Sequence, residues 1–127
     1  MTATDKQNHI VIIALGTNTD HNRNMDMALS LIRRVVRDVR CSRRIWTEPI
    51  GMASGMFLNM LVSGSCRLSL QELKMEIKSM ERGCGRTTGE QRNGIVRMDI
   101  DILKYDNKTE HADDWDREYI KELIKEI

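Results

Sequence analysis

The sequence is poor in several things, and each shortage removes a class of protein. Only 4% of the residues are aromatic, with a single phenylalanine, which leaves too few stacking platforms for an open-sheet nucleic-acid binder. Net charge is +1, so no global field gathers nucleic acid or an anionic membrane, and any basic site has to be local. The three cysteines, Cys41, Cys66 and Cys84, are widely and irregularly spaced with no CxxC pair; they read as reduced thiols, not as a disulfide framework or a zinc site. The three histidines are scattered and form no ligand pattern. The opening stretch, MTATDKQNHIVIIALG, has an apolar run too short to span a bilayer and no cleavable signal, so a cytoplasmic protein without a membrane partner is expected. Internal repeats and low-complexity linkers are missing too, and residues 1–127 are expected to form one domain.

What remains is an ordinary globular composition, 40% hydrophobic and 31% charged. HIVIIAL (9–15) is a continuous β-branched run that reads as a strand buried on both faces, ending at the turn-prone GTNTDHN. From about Asn24 to Asp38, Met27/Ala28, Leu31/Ile32 and Val35/Val36 recur every four residues and mark an amphipathic helix. A second strand is expected over Arg40 to Thr47, then a loop, TEPIGMASG, holding the only proline. In MFLNMLVSGSC (56–66), Leu58, Met60 and Val62 share one face of a strand and Phe57, Asn59 and Leu61 the other. Ser69 and Glu72 form a capping box, after which Leu70, Leu73, Ile77 and Met80 trace a helix closed by Gly83. RMDIDILKYD (97–106) is a fourth strand, and Asp113 or Asp114 opens a last helix with Trp115, Tyr119, Leu123 and Ile127 on one stripe. The order βαββαβ plus a terminal helix predicts an α+β, ferredoxin-like fold, with two helices on one face of an antiparallel sheet and the other face open for a ligand.

That fourth strand poses the functional question, because carboxylates are depleted in strands and here there are two. Met98, Ile100 and Ile102 can face a core while Asp99 and Asp101 stand side by side on the other surface, repelling each other unless something positive lies between. Just upstream, MERGCGRTTGEQRNGIVRMDID interleaves Gly83, Gly85, Gly89 and Gly94 with Arg82, Arg86, Arg92 and Arg97, against only Glu81 and Glu90. Glycines let a backbone approach a ligand, and guanidinium groups clamp phosphate oxygens. A basic glycine-rich loop leading into a carboxylate pair suits a magnesium-nucleotide site, because magnesium takes oxygen from one or two carboxylates plus substrate phosphates. The plainer readings are a solvated acidic edge for Asp99 and Asp101, a satisfied structural amide for Asn59 and a core ring for Phe57.

ALGTN (14–18), TEPIG (47–51), FLN (57–59), GR (85–86) and DIDIL (99–103) occur in the order and at about the spacing seen in the 6-hydroxymethyl-7,8-dihydropterin pyrophosphokinase family, and the chain resembles that family over roughly residues 9–106. The resemblance implies transfer of pyrophosphate from ATP to a pterin hydroxymethyl group, with AMP released. It implies two Mg2+ ions on Asp99 and Asp101, and pterin read by the Thr47–Glu48 backbone and the Asn59 amide and stacked by Phe57. It also implies phosphate handling by Arg86 and Arg92, Glu81 as a nucleotide-side acid and an adenine contact from the Ile102 backbone. The implied partners are pterin and ATP, in a monomer or homodimer, with no nucleic acid. Where the family reads R-W-G-P-R-T-x-D-x-D, this chain has Asn93, Ile95 and Val96 at the tryptophan, proline and second-arginine positions, and Thr88 replaces a further loop arginine. Arg97 falls one residue late, and Lys108 and His111 have no assigned role. A relative that binds the ligands, or a partner, without turnover is the second reading.

Overall fold

The structure is a computed structural model, and it describes residues 7–49, 55–85, 89 and 93–127. Its elements run β1 (His9–Thr17), α1 (His21–Ile32), β2 (Arg37–Cys41), β3 (Ile45–Thr47), β4 (Phe57–Cys66), α2 (Leu70–Gly83), β5 (Asp99–Tyr105) and β6 (Lys108–Thr109). A 3-10 turn (Ala112–Asp116), α3 (Glu118–Leu123) and a second 3-10 turn (Ile124–Glu126) close the chain. The sheet order is β2-β4-β1-β5-β6, with β3 also paired to β4, and every described pairing is antiparallel. The ferredoxin-like expectation therefore holds, with β5, β1, β4 and β2 as the four framework strands.

Alternation along the strands decides the main core. Val11, Ile13 and Leu15 of β1, Leu58, Met60 and Val62 of β4 and Met98, Ile100 and Ile102 at β5 all face α1 and α2 and are buried with Met25, Ala28, Ile32, Leu73, Ile77 and Met80. The capping box is present as read: Ser69 Oγ accepts from the Glu72 amide at 3.1 Å and Glu72 Oε1 from the Ser69 amide at 2.9 Å. The left-handed residue after that helix is Gly85 at φ 93°, not Gly83, which is the last helical residue.

Three further expectations need correction. First, α1 stops at Ile32, well before Asp38. The four-residue spacing continues because Val36 folds back into the same core, against Gly64, where an added Cβ would lie 2.5 Å from the Val36 side chain. Second, the strand expected over Arg40 to Thr47 is two strands. Cys41 pairs with Val62 and Ile45 with Asn59, so four steps on one side match three on β4. Ser42 occupies the break, its hydroxyl accepting from the Leu61 amide at 2.8 Å.

Third, the sheet face opposite α1 and α2 is not left open along its length. Ile120 and Leu123 of α3 bury Ala14, Leu61 and Leu103 in a second core, joined by Trp115, Tyr119, Ile124 and Ile127. The stripe read from the sequence is thus correct in its residues, but the backbone is extended at Arg117 and splits it into short helical pieces. Trp115 Nε1 fixes the first piece by donating to the carbonyls of Leu103 at 3.2 Å and Glu110 at 3.1 Å.

Candidate active site

Beyond the residues of the second core, that face continues where the end of β1 and the starts of β4 and β5 meet. Gly16 pairs with Asn59 on one side and Asp99 on the other, so one row crosses the sheet as Asn59, Gly16, Asp99. The next row, Leu61, Ala14, Asp101, lies beside the second core. At two strand spacings, Asn59 and Asp99 are about 10 Å apart across a floor with no side chain in its middle. A Cβ on Gly16 would come 3.1 Å from Asn59 Oδ1 and 3.6 Å from the Phe57 ring. The glycine puts no side chain of its own between Asn59 and Asp99.

Asn59 is buried, and its Nδ2 donates to Thr47 Oγ1 at 2.7 Å. β3 pairs Thr47 with Phe57, so Thr47, Phe57 and Asn59 form one corner of the floor, and Glu48 is exposed just past the strand end. The sequence-expected pterin residues are therefore brought together, although the bond from Thr47 also satisfies the plainer reading of Asn59 as a structural amide.

Asp99 and Asp101 point to the same face and hydrogen-bond to each other. The Asp101 carboxyl is pushed up to about 7, first by burial, then by the charge and hydrogen bond of Asp99, and then by Asp114 and Glu81. Two carboxylates this close repel when both are charged, and a proton or a cation relieves that repulsion. Among the described residues no group of three or more His, Cys, Asp or Glu is placed to cage a metal. Two carboxylates with the remaining coordination left to water and substrate oxygens fit magnesium rather than a structural zinc or calcium site.

Beside the pair, a cleft of about 440 Å³ opens between α2 and β5, lined by Lys74, Ile77, Lys78 and Glu81 on the helix and by Asp99 to Ile102, Glu110 and His111 opposite. Glu81 accepts from the Ile100 amide at 2.9 Å, so it braces the outer edge of β5. Strand alternation turns the Ile102 backbone to that same edge, which suits the nucleotide contact expected of it. Lys74 is paired with Glu110 at 3.1 Å, and Lys108 reaches the other Glu110 oxygen only at 3.9 Å, away from the carboxylate pair. Arg86 and Arg92 lie outside the described residues. Arg97 faces Asp20 at 3.7 Å, and its side chain is not among those lining the cleft.

Several residues of the site were not visible in the pattern. His111 Nε2 stands 3.7 Å from Asp101 Oδ1. Asp114 adds negative charge there, Arg117 pairs with Asp114 at 3.3 Å, and Arg117 also lies close enough to act on the Tyr119 hydroxyl. Burial raises the Tyr119 pKa and Arg117 opposes that rise. The C-terminal segment is thus a wall of the carboxylate site. The only sequence signal for it was the Trp115/Tyr119 stripe, which marks a buried face but not what it is buried against.

The family model for 7,8-dihydro-6-hydroxymethylpterin-pyrophosphokinase matches residues 12–127. The chain is 37% identical over 100 residues to a mitochondrial folate synthesis bifunctional protein of Arabidopsis thaliana, covering 76% of this chain and 18% of that protein. It is 35% identical over 102 residues to the corresponding protein of Pisum sativum, covering 78% and 20%. The chain therefore spans about a fifth of the length of these relatives. Among solved structures, it is similar to a Plasmodium falciparum HPPK-DHPS triple mutant crystallised with pteroate, with a TM-score of 0.54 at 13% identity over 82% of this chain and 28% of that one, a likeness of fold.

Proposed function

The chain belongs to the 7,8-dihydro-6-hydroxymethylpterin-pyrophosphokinase family, and on that premise we propose that it transfers pyrophosphate from ATP to 6-hydroxymethyl-7,8-dihydropterin in folate biosynthesis, releasing AMP. The observation that carries this reading is the Asp99–Asp101 pair on one face of β5, between the Asn59–Gly16 floor and the α2–β5 cleft. On the floor, Thr47, the Glu48 backbone and Asn59 hold the pterin edge, and Phe57 offers its ring to the pterin plane. In the cleft, Ile77 and Ile102 flank the adenine, with the Ile102 backbone as its polar contact. Lys74 and Lys78 bring positive charge to the phosphates, and Glu81 keeps β5 in register.

Asp99 and Asp101 would hold two Mg2+ ions, which supply charge neutralisation of the triphosphate and favour deprotonation of the hydroxyl. The substrate hydroxyl oxygen attacks the β-phosphorus, the bond from that phosphorus to the α,β-bridging oxygen breaks, and AMP leaves. Arg86 and Arg92 are assigned to the transferred phosphates on the family resemblance. His111 adds a ring nitrogen beside Asp101 and Arg117 a guanidinium from the C-terminal wall. Action as one domain, in the cytoplasm, as a monomer or homodimer belongs to the same reading; no helix among the described residues is long and apolar enough to cross a membrane.

Binding without turnover is favoured by one observation: Val96, where the family carries an arginine, engages Asn18 through its backbone and brings no charge. An AMP-release assay with ATP, magnesium and hydroxymethyldihydropterin decides between the two. Turnover that falls by at least about a thousandfold in Asp99→Ala plus Asp101→Ala supports the enzyme. Ligand binding with no AMP from the unaltered chain supports the second reading.

A further inference from the structure

We propose that Asn18 is a positioning residue for Asp99, acting as a bracket that fixes the chain entering β5; this rests on the functional reading above. The β1–β5 ladder ends at the Gly16–Asp99 pair, and residues 95–98 are outside any strand. Beyond the ladder the two chains are tied by Asn18. Its amide donates to the Val96 carbonyl at 3.0 Å, its Oδ1 accepts from the Val96 amide at 2.6 Å, and its Nδ2 donates to the Gly94 carbonyl at 2.7 Å. A side-chain amide does here what a neighbouring strand does elsewhere, satisfying backbone groups of a segment that has no other ladder.

The bracket is itself rigid. Asn18 is only 9% exposed. Thr17 Oγ1 reaches the carbonyls of Thr19 at 2.9 Å and Val96 at 3.2 Å, and Asn24 Nδ2 donates to Thr19 at 2.8 Å. One residue past Val96, the Arg97 stem lies on Gly85, where a Cβ would come within 2.9 Å of it, and its guanidinium faces Asp20. Asp99 follows two residues later. Only a donor and an acceptor on one short planar group serve both Gly94 and Val96. Aspartate would set an oxygen against the Gly94 carbonyl, and alanine would remove both side-chain bonds, keeping only the backbone bond from residue 18 to the Val96 carbonyl.

Amide hydrogen exchange and single-turnover AMP release test this in the full chain, in Asn18→Asp and in Asn18→Ala, the latter removing the two side-chain bonds without adding charge. In the unaltered chain the Val96 amide should exchange at least about tenfold more slowly than that of exposed Asn93. In Asn18→Ala the amides of Val96 and Asp99 should speed up about tenfold while that of Ile13, in the core, is unchanged. Both variants should lose between about tenfold and a hundredfold in single-turnover rate, as expected for reacting groups displaced by about 1 Å, with KM for the pterin within about twofold. Equal exchange at Val96 and Asn93 overturns the bracket, whether or not either variant folds, and so does a turnover rate within twofold of the unaltered chain. If the unaltered chain releases no AMP, the functional reading fails, and the exchange comparison still decides the bracket.

Discussion

Toward α1 and α2 the framework strands present Val11, Ile13, Leu15, Met60, Val62, Ile100 and Ile102; toward the C-terminal segment the alternating residues are Ala14, Gly16, Asn59, Leu61, Asp99 and Asp101. The first face is uniformly apolar and sealed. The second is apolar only under α3 and becomes polar, glycine-floored and acidic beyond it. A strand cannot place neighbours on the same side, so the molecule separates cohesion from chemistry without using different elements for the two. The carboxylate repulsion at Asp101 is tolerable because the opposite face of β5 contributes apolar burial that does not depend on it.

That division can be broken from either side. Ile13→Ala, on the sealed face and fully buried, should cost about 2–5 kcal/mol in urea unfolding while leaving turnover per folded molecule unchanged. A variant that folds normally but loses turnover would show the faces are not separable. Gly16→Ala, on the other face, should raise the KM for the pterin about tenfold, as a pocket contact of one methyl group does, with stability changed by less than about 1.5 kcal/mol. A fall in stability with KM intact would assign Gly16 to packing instead.

The smallest effect concerns pH. Asp101 is held near 7 in the folded chain, whereas an unperturbed aspartate titrates near 4. The folded form therefore binds the extra proton between those values. The stability this brings is complete below about pH 4 and is lost as pH rises through 7. Without divalent cations the Tm should fall by a few degrees between about pH 5 and pH 8, and saturating magnesium should raise it more at the higher pH. An equal magnesium shift at both values would separate the carboxylate pair from cation binding.

Much of this was legible before any fold was known. The alternation of MDIDI identified both the core side and the acidic side of β5, and the Ser69/Glu72 box and its apolar stripe located α2, because these are signals between residues a few positions apart. The length of α1 was misread for an instructive reason: Val35 and Val36 keep the helical spacing, but Val36 reaches the core from a turn, beside a glycine of a strand nearly thirty residues later. The same limit hid His111, Asp114, Arg117 and Tyr119, whose proximity to Asp101 exists only because Ile120 and Leu123 dock the C-terminal segment on Ala14 and Leu61. Arg86 and Arg92 lie outside the described residues and stand on the sequence resemblance.

By itself the sequence determined which side chains share a face, where the second helix begins and that two carboxylates stand together, since each follows from backbone periodicity and local hydrogen bonding. The tertiary structure alone decided that Gly16 lies between Asn59 and Asp99, that Asn18 holds the entry to β5, and that the last helix walls the site instead of leaving the sheet open. Those are meetings between segments far apart in the chain, fixed by strand register and apolar burial, and no local pattern encodes a register.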